Sequence, residues 1–444
     1  MKTEYTDSVF NVSPQYGFLP QFEPLARLPM KYFPVQNLIN KLHTELTKEP
    51  GAFEREVKNL PNLTLLVIEE NDKQNLQALF RAYTFLSSGY LLAPAHFNKD
   101  SNGVYGKAHK VLPRQLAMPL AEVARKLEVF PWLDYHYAYS LGNYVKKDKE
   151  GTLHWNNLDM ACSFTGTKDE IGFIMNHVYI NEVSPKLVSG IFRALSGEAK
   201  PGLEEVLATI RDMNERRRTM WEASRPEHYN DFRAFIMGIE GNEDIFGNGV
   251  VYEGVADEPR KYRGQTGAQD DIIPSLDIFT GIINYYPENM LTKYLLDLRS
   301  YRPKCVQEYF KDLESESPLF LEKLEKDELI LLLAIVEQVY AFRNGHHQFV
   351  LKYIMKNTKY AKATGGTPII SWIPNQIGAV LKYMKYLIDK IGESENEMFL
   401  RIKEGYDVKV EVLNKQLEEF KNPEFNAEQL YKMNGSLDDT KVKF

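Results

Sequence analysis

Apolar residues recur at three- and four-residue steps along most of this chain, the spacing of one helix face. The longest such pattern runs from Asp327 to Lys356, where Leu329, Leu332, Leu333, Val336, Val339, Tyr340, Arg343, His346, Val350 and Tyr353 share a face. Shorter patterns predict helices over Val35–Lys48, Gln74–Ser88, Pro119–Leu127, Trp132–Tyr144, Asp169–Val183, Ser184–Leu195, Leu203–Arg225 and Tyr229–Gly238. Further on they predict Ile272–Ile283, Leu291–Leu298, Pro303–Glu314, Pro374–Gly392 and, in a charged tail, Val408–Phe420. Leu63–Ile68 is too short to decide between a strand and a helix start. Residues 1–35, rich in Pro, Phe and Tyr, are expected to run extended over the surface, and Asn98–Gly106 is a polar turn. Asn242–Gly267 is glycine-rich and loop-like, and strand signals are scarce. The expected class is mainly α. The charged stretch Val145–Gly151 is the candidate linker between a small, mostly helical domain (1–150) and a large all-α domain (151–444) that ends in a polar tail.

Two polar residues interrupt the apolar stripe of the longest helix. Arg343 and His346 fall on it one turn apart, with Gly345 beside the histidine. An interior glycine costs a helix about 1 kcal/mol relative to alanine, which is explained if something flat must come close. An imidazole and an arginine so placed suit a haem, the histidine on iron and the arginine on a propionate. A hydrogen-bonded core histidine is the alternative. His347 lies about 100° around the helix from His346, so the pair is a poor chelate for one metal ion.

Other polar residues share faces with apolar ones. Phe173 and His177 are four apart in a mostly apolar segment, as are Tyr229 and Arg233. Each has a structural reading and a functional one. His177 is either a backbone-bonded histidine or a cleft residue. Arg233, among Phe232, Phe235 and Ile236, is costly to bury unless an anion meets it, either a protein carboxylate or the carboxylate of a substrate. Ala363-Thr-Gly-Gly-Thr367 is a plain turn or a lid that brings Thr364 onto a ligand. Arg263-Gly-Gln-Thr-Gly-Ala-Gln269 is an interdomain turn or a place where the backbone approaches a flat cofactor.

Composition narrows this picture in a few ways. A chain of 444 residues with 43% hydrophobic and 26% charged residues has the profile of an ordinary globular protein with a sizeable core. A net charge of -7 gives no reason to expect nucleic-acid binding. Two distant cysteines, Cys162 and Cys305, make neither a disulfide framework nor a zinc site and fit a reducing cytoplasm. No apolar run reaches the roughly 20 residues of a membrane span, and the first residues do not read as a signal peptide. No zinc-protease, hydrolase-elbow or dinucleotide motif is present.

Several separate blocks, in order, resemble the indoleamine 2,3-dioxygenase family between about Leu112 and Met384. They are Val111-Leu-Pro-Arg-Gln-Leu-Ala-Met-Pro119, Gly249-Val-Val-Tyr-Glu-Gly254, Gly264-Gln-Thr-Gly-Ala-Gln269, Leu298-Arg-Ser-Tyr-Arg-Pro303, Phe342–Ile354 and Ala363–Thr367. The resemblance implies one haem b per chain, with His346 as iron ligand and Arg343 as propionate partner. It implies that Phe173 packs on an indole ring, that Arg233 binds the substrate carboxylate, that Thr364 bonds the amino acid end, and that Thr266 and Gly267 lie on the oxygen side. The implied reaction is cleavage of the C2–C3 bond of L-tryptophan by O2 to give N-formylkynurenine. His177 and Tyr229 depart from the family, which usually carries serine and phenylalanine there. The pairs Phe173/His177 and Tyr229/Arg233 resemble instead the related tryptophan 2,3-dioxygenases, in which a distal histidine meets the indole nitrogen. Narrower selectivity is therefore expected, since a polar pair left unmet by the wrong substrate is costly. Oxygenation of another indole or aromatic amino acid, and haem sensing without turnover, are the rival readings. The two families differ in assembly, so monomer and homo-oligomer both stay open.

Overall fold

The computed structural model describes residues 1–288, 290–355, 364 and 369–419. Its N-terminal part holds the short antiparallel strands β1 (Tyr5–Thr6) and β2 (Asn11–Val12), then α1 (Phe33–Lys48), α2 (Ala52–Lys58), α3 (Thr64–Glu69) and α4 (Lys73–Phe97). Strand β3 (Val111–Leu112) leads into α5 (Arg114–Leu127), and β4 (Tyr144–Lys146) pairs with β5 (Leu158–Met160). Next come α6 (Lys168–Asn181), α7 (Ser184–Leu195), α8 (Ala199–Arg218), α9 (Met220–Ala223), α10 (Tyr229–Arg233) and α11 (Glu243–Phe246). Strand β6 (Val251–Tyr252) returns to pair in parallel with β3. The chain continues through α12 (Ile272–Thr280), α13 (Met290–Asp297), α14 (Lys304–Glu322), α15 (Lys326–Val350), α16 (Ile369–Ile391), α17 (Glu397–Glu404) and α18 (Tyr406–Glu419). The class is mainly α, as the periodicity predicts.

Local chemistry sets the boundaries. Asp72 caps α4 by accepting from the Asn75 N–H, and Thr167 caps α6 by accepting from Glu170. A capping box of Glu325 and Glu328 starts α15. Every member of the long apolar stripe is buried except His346. Helix α8 packs against both α7 and α15, and α15 packs against α16. One hydrophobic core runs from Tyr5 to Leu413.

Two expectations need correction, and two open points gain a structure. Residues 1–35 are not a surface wrap: Tyr5, Val9, Phe10, Val12 and Phe18 are buried, and the Phe18 N–H donates to Ser184 Oγ at 2.9 Å. Apolar side chains spaced by turns bury as well as a strand does, and the helical period gave no sign of it. Trp132–Tyr144 is not a helix but one π-helical turn, Tyr135–Tyr139, followed by β4. Val145–Gly151, the candidate linker, begins in β4 and forms the turn toward β5. Leu63–Ile68 resolves as helix α3. The loop Ala363–Thr367 lies outside the described residues except for Thr364.

Candidate active site

His346 differs from the rest of its helix face. It is accessible to water, yet it sits among enough protein that burial, with Arg217 and His177 nearby, pushes its pKa down to about 4. An accessible ring inside a crowded environment lies in the wall of a recess. The imidazole is neutral at working pH and has no hydrogen-bond partner among the described residues. The next residue, His347, is 1% exposed and also pushed down to about 4 by burial.

Helix α6 brings Phe173 and His177 to the same place, within electrostatic reach of His346. The Phe173 ring lies 5.4 Å from His177, 4.9 Å from Tyr229 and 5.8 Å from Phe232. His177 Nδ1 is 2.9 Å from the Phe173 carbonyl oxygen. A carbonyl can only accept, so Nδ1 carries the proton. Burial lowers the pKa of the ring and keeps it neutral, which leaves Nε2 as a bare acceptor. Nε2 points toward Gly267, where an added Cβ would meet only this atom, at 3.9 Å.

Arg233 is fully buried at the end of α10. Its guanidinium lies 6.0 Å from the Tyr229 ring centre and meets the hydroxyls of Tyr229 and Tyr105. Tyr105 is buried, although sequence reading placed it in a polar turn. Its only signal was an aromatic ring among small polar residues. Thr364 docks on the segment that follows Arg233: its hydroxyl donates to the Gln265 carbonyl at 2.8 Å, and its own carbonyl accepts from Gly238 N at 2.8 Å. Gly238 and Gly264 cross backbone on backbone, and a Cβ at 238 would come within 2.3 Å of Gly264 N. Thr266 spends its side chain on capping the turn Gly267–Gln269.

The loop that carries Thr266 and Gly267 is held by a polar cluster that sequence reading missed. Asp270 Oδ2 accepts from Tyr135 at 2.8 Å and from Asn181 at 2.6 Å, and the same Asn181 amide donates to the His177 carbonyl at 3.0 Å. Asp271 is clasped between His136 at 2.8 Å and Arg302 at 2.7 Å. Arg302 belongs to the block Leu298–Pro303, so this block steadies the loop.

Arg343 does not stand free beside His346. It donates to Asp277 at 2.5 Å, to Tyr286 at 3.0 Å and to the Gln376 carbonyl at 3.0 Å. Burial opposes its charge and Asp277 outweighs that, so the guanidinium stays protonated within this cluster. Gly345 does admit a flat group. The flat group against it is the Arg217 guanidinium, since a Cβ at 345 would lie 2.2 Å from Nη2 and 2.4 Å from Cζ.

The donor set fits a haem. Among the described residues no three His, Cys, Asp or Glu side chains converge as a bare metal ion would require. Among the described residues His346 offers a neutral, accessible imidazole, the kind of donor that would hold an iron porphyrin. Among the described residues no helix is long and apolar enough to cross a membrane.

The chain matches the indoleamine 2,3-dioxygenase family model over residues 6–384, reaching well before the Leu112 at which the resemblance begins. It is 27% identical to indoleamine 2,3-dioxygenase 1 of Rattus norvegicus, over 82% of this chain and 92% of that one. It is 28% identical to the human indoleamine 2,3-dioxygenase 2, over 87% and 94% of the two chains. Against the indoleamine 2,3-dioxygenase of Saccharomyces cerevisiae it is 26% identical over 78% and 79%. Most of the chain is thus accounted for by one family, and the chain belongs to the indoleamine 2,3-dioxygenase family of haem-dependent dioxygenases.

Proposed function

We propose that the chain cleaves the indole C2–C3 bond of L-tryptophan, inserting both atoms of O2 to give N-formylkynurenine. On this reading His346 holds one haem b per chain, and ferrous haem supplies the O2 binding and redox chemistry. The observation that carries the substrate is the bare Nε2 of His177. It is a fixed acceptor next to the Phe173 ring, placed to take the N–H of an indole stacked there. Arg233, with the hydroxyls of Tyr105 and Tyr229 around it, anchors the amino acid carboxylate by charge-assisted hydrogen bonds. Thr364 holds the edge of that anchor through Gly238 and Gln265 and has an acceptor lone pair left for the ammonium group. These contacts fix the indole over the reacting centre, which is a positioning role. His177 acts as an orienting group, since the reaction gains two oxygen atoms and loses no proton overall.

The test is an absorption spectrum of the purified holoprotein, reduced under CO, with and without L-tryptophan, followed by mass analysis of the aerobic product. The expected result is a histidine-ligated haem whose spectrum shifts with tryptophan, and a product heavier by two oxygen atoms. A product heavier by one would make the enzyme a monooxygenase. A spectrum indifferent to tryptophan would move the search to other indoles and aromatic amino acids.

A further inference from the structure

Helix α8 ends in three consecutive arginines. Arg216 pairs with Glu182 at 2.5 Å and Asp212 at 3.0 Å, and Arg218 pairs with Glu215 at 2.6 Å. The middle one, Arg217, has no ion pair or hydrogen bond among the described residues, and its Nε is buried without a partner. Its guanidinium lies flat on Gly345, 5.8 Å from the Phe342 ring centre and 5.4 Å from that of Phe349. Positions 342, 345, 346 and 349 form one diamond on the face of α15. The cation therefore rests on the same patch of helix as His346.

A histidine that binds a metal usually donates its second N–H to a carboxylate or carbonyl, which makes the ring a stronger donor. His346 has no such acceptor among the described residues. Its charged neighbour Arg217 has no carboxylate in ion-pair contact among the described residues, the nearby Glu215 being paired with Arg218, and arginine keeps its charge at any working pH. A fixed positive charge beside an axial imidazole opposes further positive charge on the ligand and its iron. Ferric haem carries one positive charge more than ferrous haem.

Resting on the proposed ligation by His346, we infer that Arg217 is a positioning residue that biases the haem toward the ferrous state, acting through the proximal histidine. Gly345 is what makes the arrangement possible, because any side chain there would displace the guanidinium.

The experiment compares full-length holoproteins: wild type, Arg217→Gln, Arg217→Lys and Gly345→Ala. Two quantities are read, the Fe(III)/Fe(II) midpoint by spectroelectrochemistry and the rate of haem transfer to a scavenging globin. Arg217→Gln is expected to weaken the ferrous preference about tenfold, a fall of about 59 mV for one electron, with haem transfer little changed. Arg217→Lys should keep most of the wild-type midpoint. Gly345→Ala, which moves the cation without removing it, should shift the midpoint in the same direction and carries the test if Arg217→Gln does not fold. An unchanged midpoint in a normally histidine-ligated variant overturns this inference alone. Faster haem loss at an unchanged midpoint also overturns it, and would assign the guanidinium to a haem propionate. Absence of histidine-ligated haem in the wild type overturns the ligation by His346 and this inference with it.

Discussion

The proton on His177 is placed by a backbone carbonyl one turn earlier in its own helix, so the chemistry of the ring is set before any substrate arrives. His177→Ala is expected to retain haem and to lose about tenfold in kcat/KM for L-tryptophan, within the ~0.5–1.5 kcal/mol of a neutral hydrogen bond. Against an indole methylated at nitrogen, wild type and variant should become alike, and a persistent difference would demote the residue to packing. Arg233→Ala should cost roughly a hundredfold in kcat/KM, the upper part of the range for a hydrogen bond to a charged group. Tyr105→Phe should cost a few-fold, mainly in KM, because it removes one hydroxyl from the anchor and leaves the ring. His177 and Arg233 were legible because a four-residue spacing puts each on a face with an aromatic partner. Tyr105 and Arg217 were not, since what gives each its meaning is a contact across the fold with a residue far away in sequence.

The turn Tyr135–Tyr139 is the element on which pH should act. Asp134 caps it, its Oδ1 accepting from the N–H groups of Tyr137 at 3.0 Å and Ala138 at 2.9 Å, while Oδ2 is buried without a partner among the described residues. Burial raises its pKa from 3.8 to about 7, against the pull of His136. The native state thus binds this proton more tightly than the unfolded chain does. The stability it contributes is full below 3.8 and is lost as pH rises through about 7. Asp134→Asn keeps an oxygen for the cap and removes the charge. Melting temperatures of variant and wild type should agree at about pH 4 and separate above about pH 7 in favour of the variant. A constant difference across that range would show that the carboxyl is not protonated in the folded protein. Most of the long helices were legible from period alone, with ends misplaced where caps such as Asp72 and Thr167 decide. This turn was not, because its five residues, Tyr-His-Tyr-Ala-Tyr, are all buried, and an element buried on every side shows no polar face to betray its geometry.

Across the whole molecule, the first twenty residues join parts far away in sequence. Tyr5 donates to Asp312 on α14 at 2.7 Å, and Gly17, with φ of 59°, presses on Ser184 so closely that a Cβ would lie 2.2 Å from its Oγ. Burial of Tyr5, Val9, Phe10, Val12 and Phe18 at ~1.5–3 kcal/mol each contributes on the order of 10 kcal/mol, comparable with the stability of a whole domain. A chain lacking residues 1–20 is therefore expected to show no cooperative melt by circular dichroism. Retention of a wild-type transition would show this segment to be dispensable. Segments held by tertiary contact alone carry no periodic signal, which is why the Pro-rich start read as a surface strap.

The crossing of Gly238 over Gly264 bears on how the pocket could be re-engineered. With no side chain between them, the segment after Arg233 and the loop before Thr266 have a fixed spacing that no larger residue can share. On the proposed function, a mutant library meant to broaden the range of accepted indoles should leave both glycines untouched and draw its diversity from Tyr105, Phe173 and Tyr229, which would line the substrate site with side chains alone.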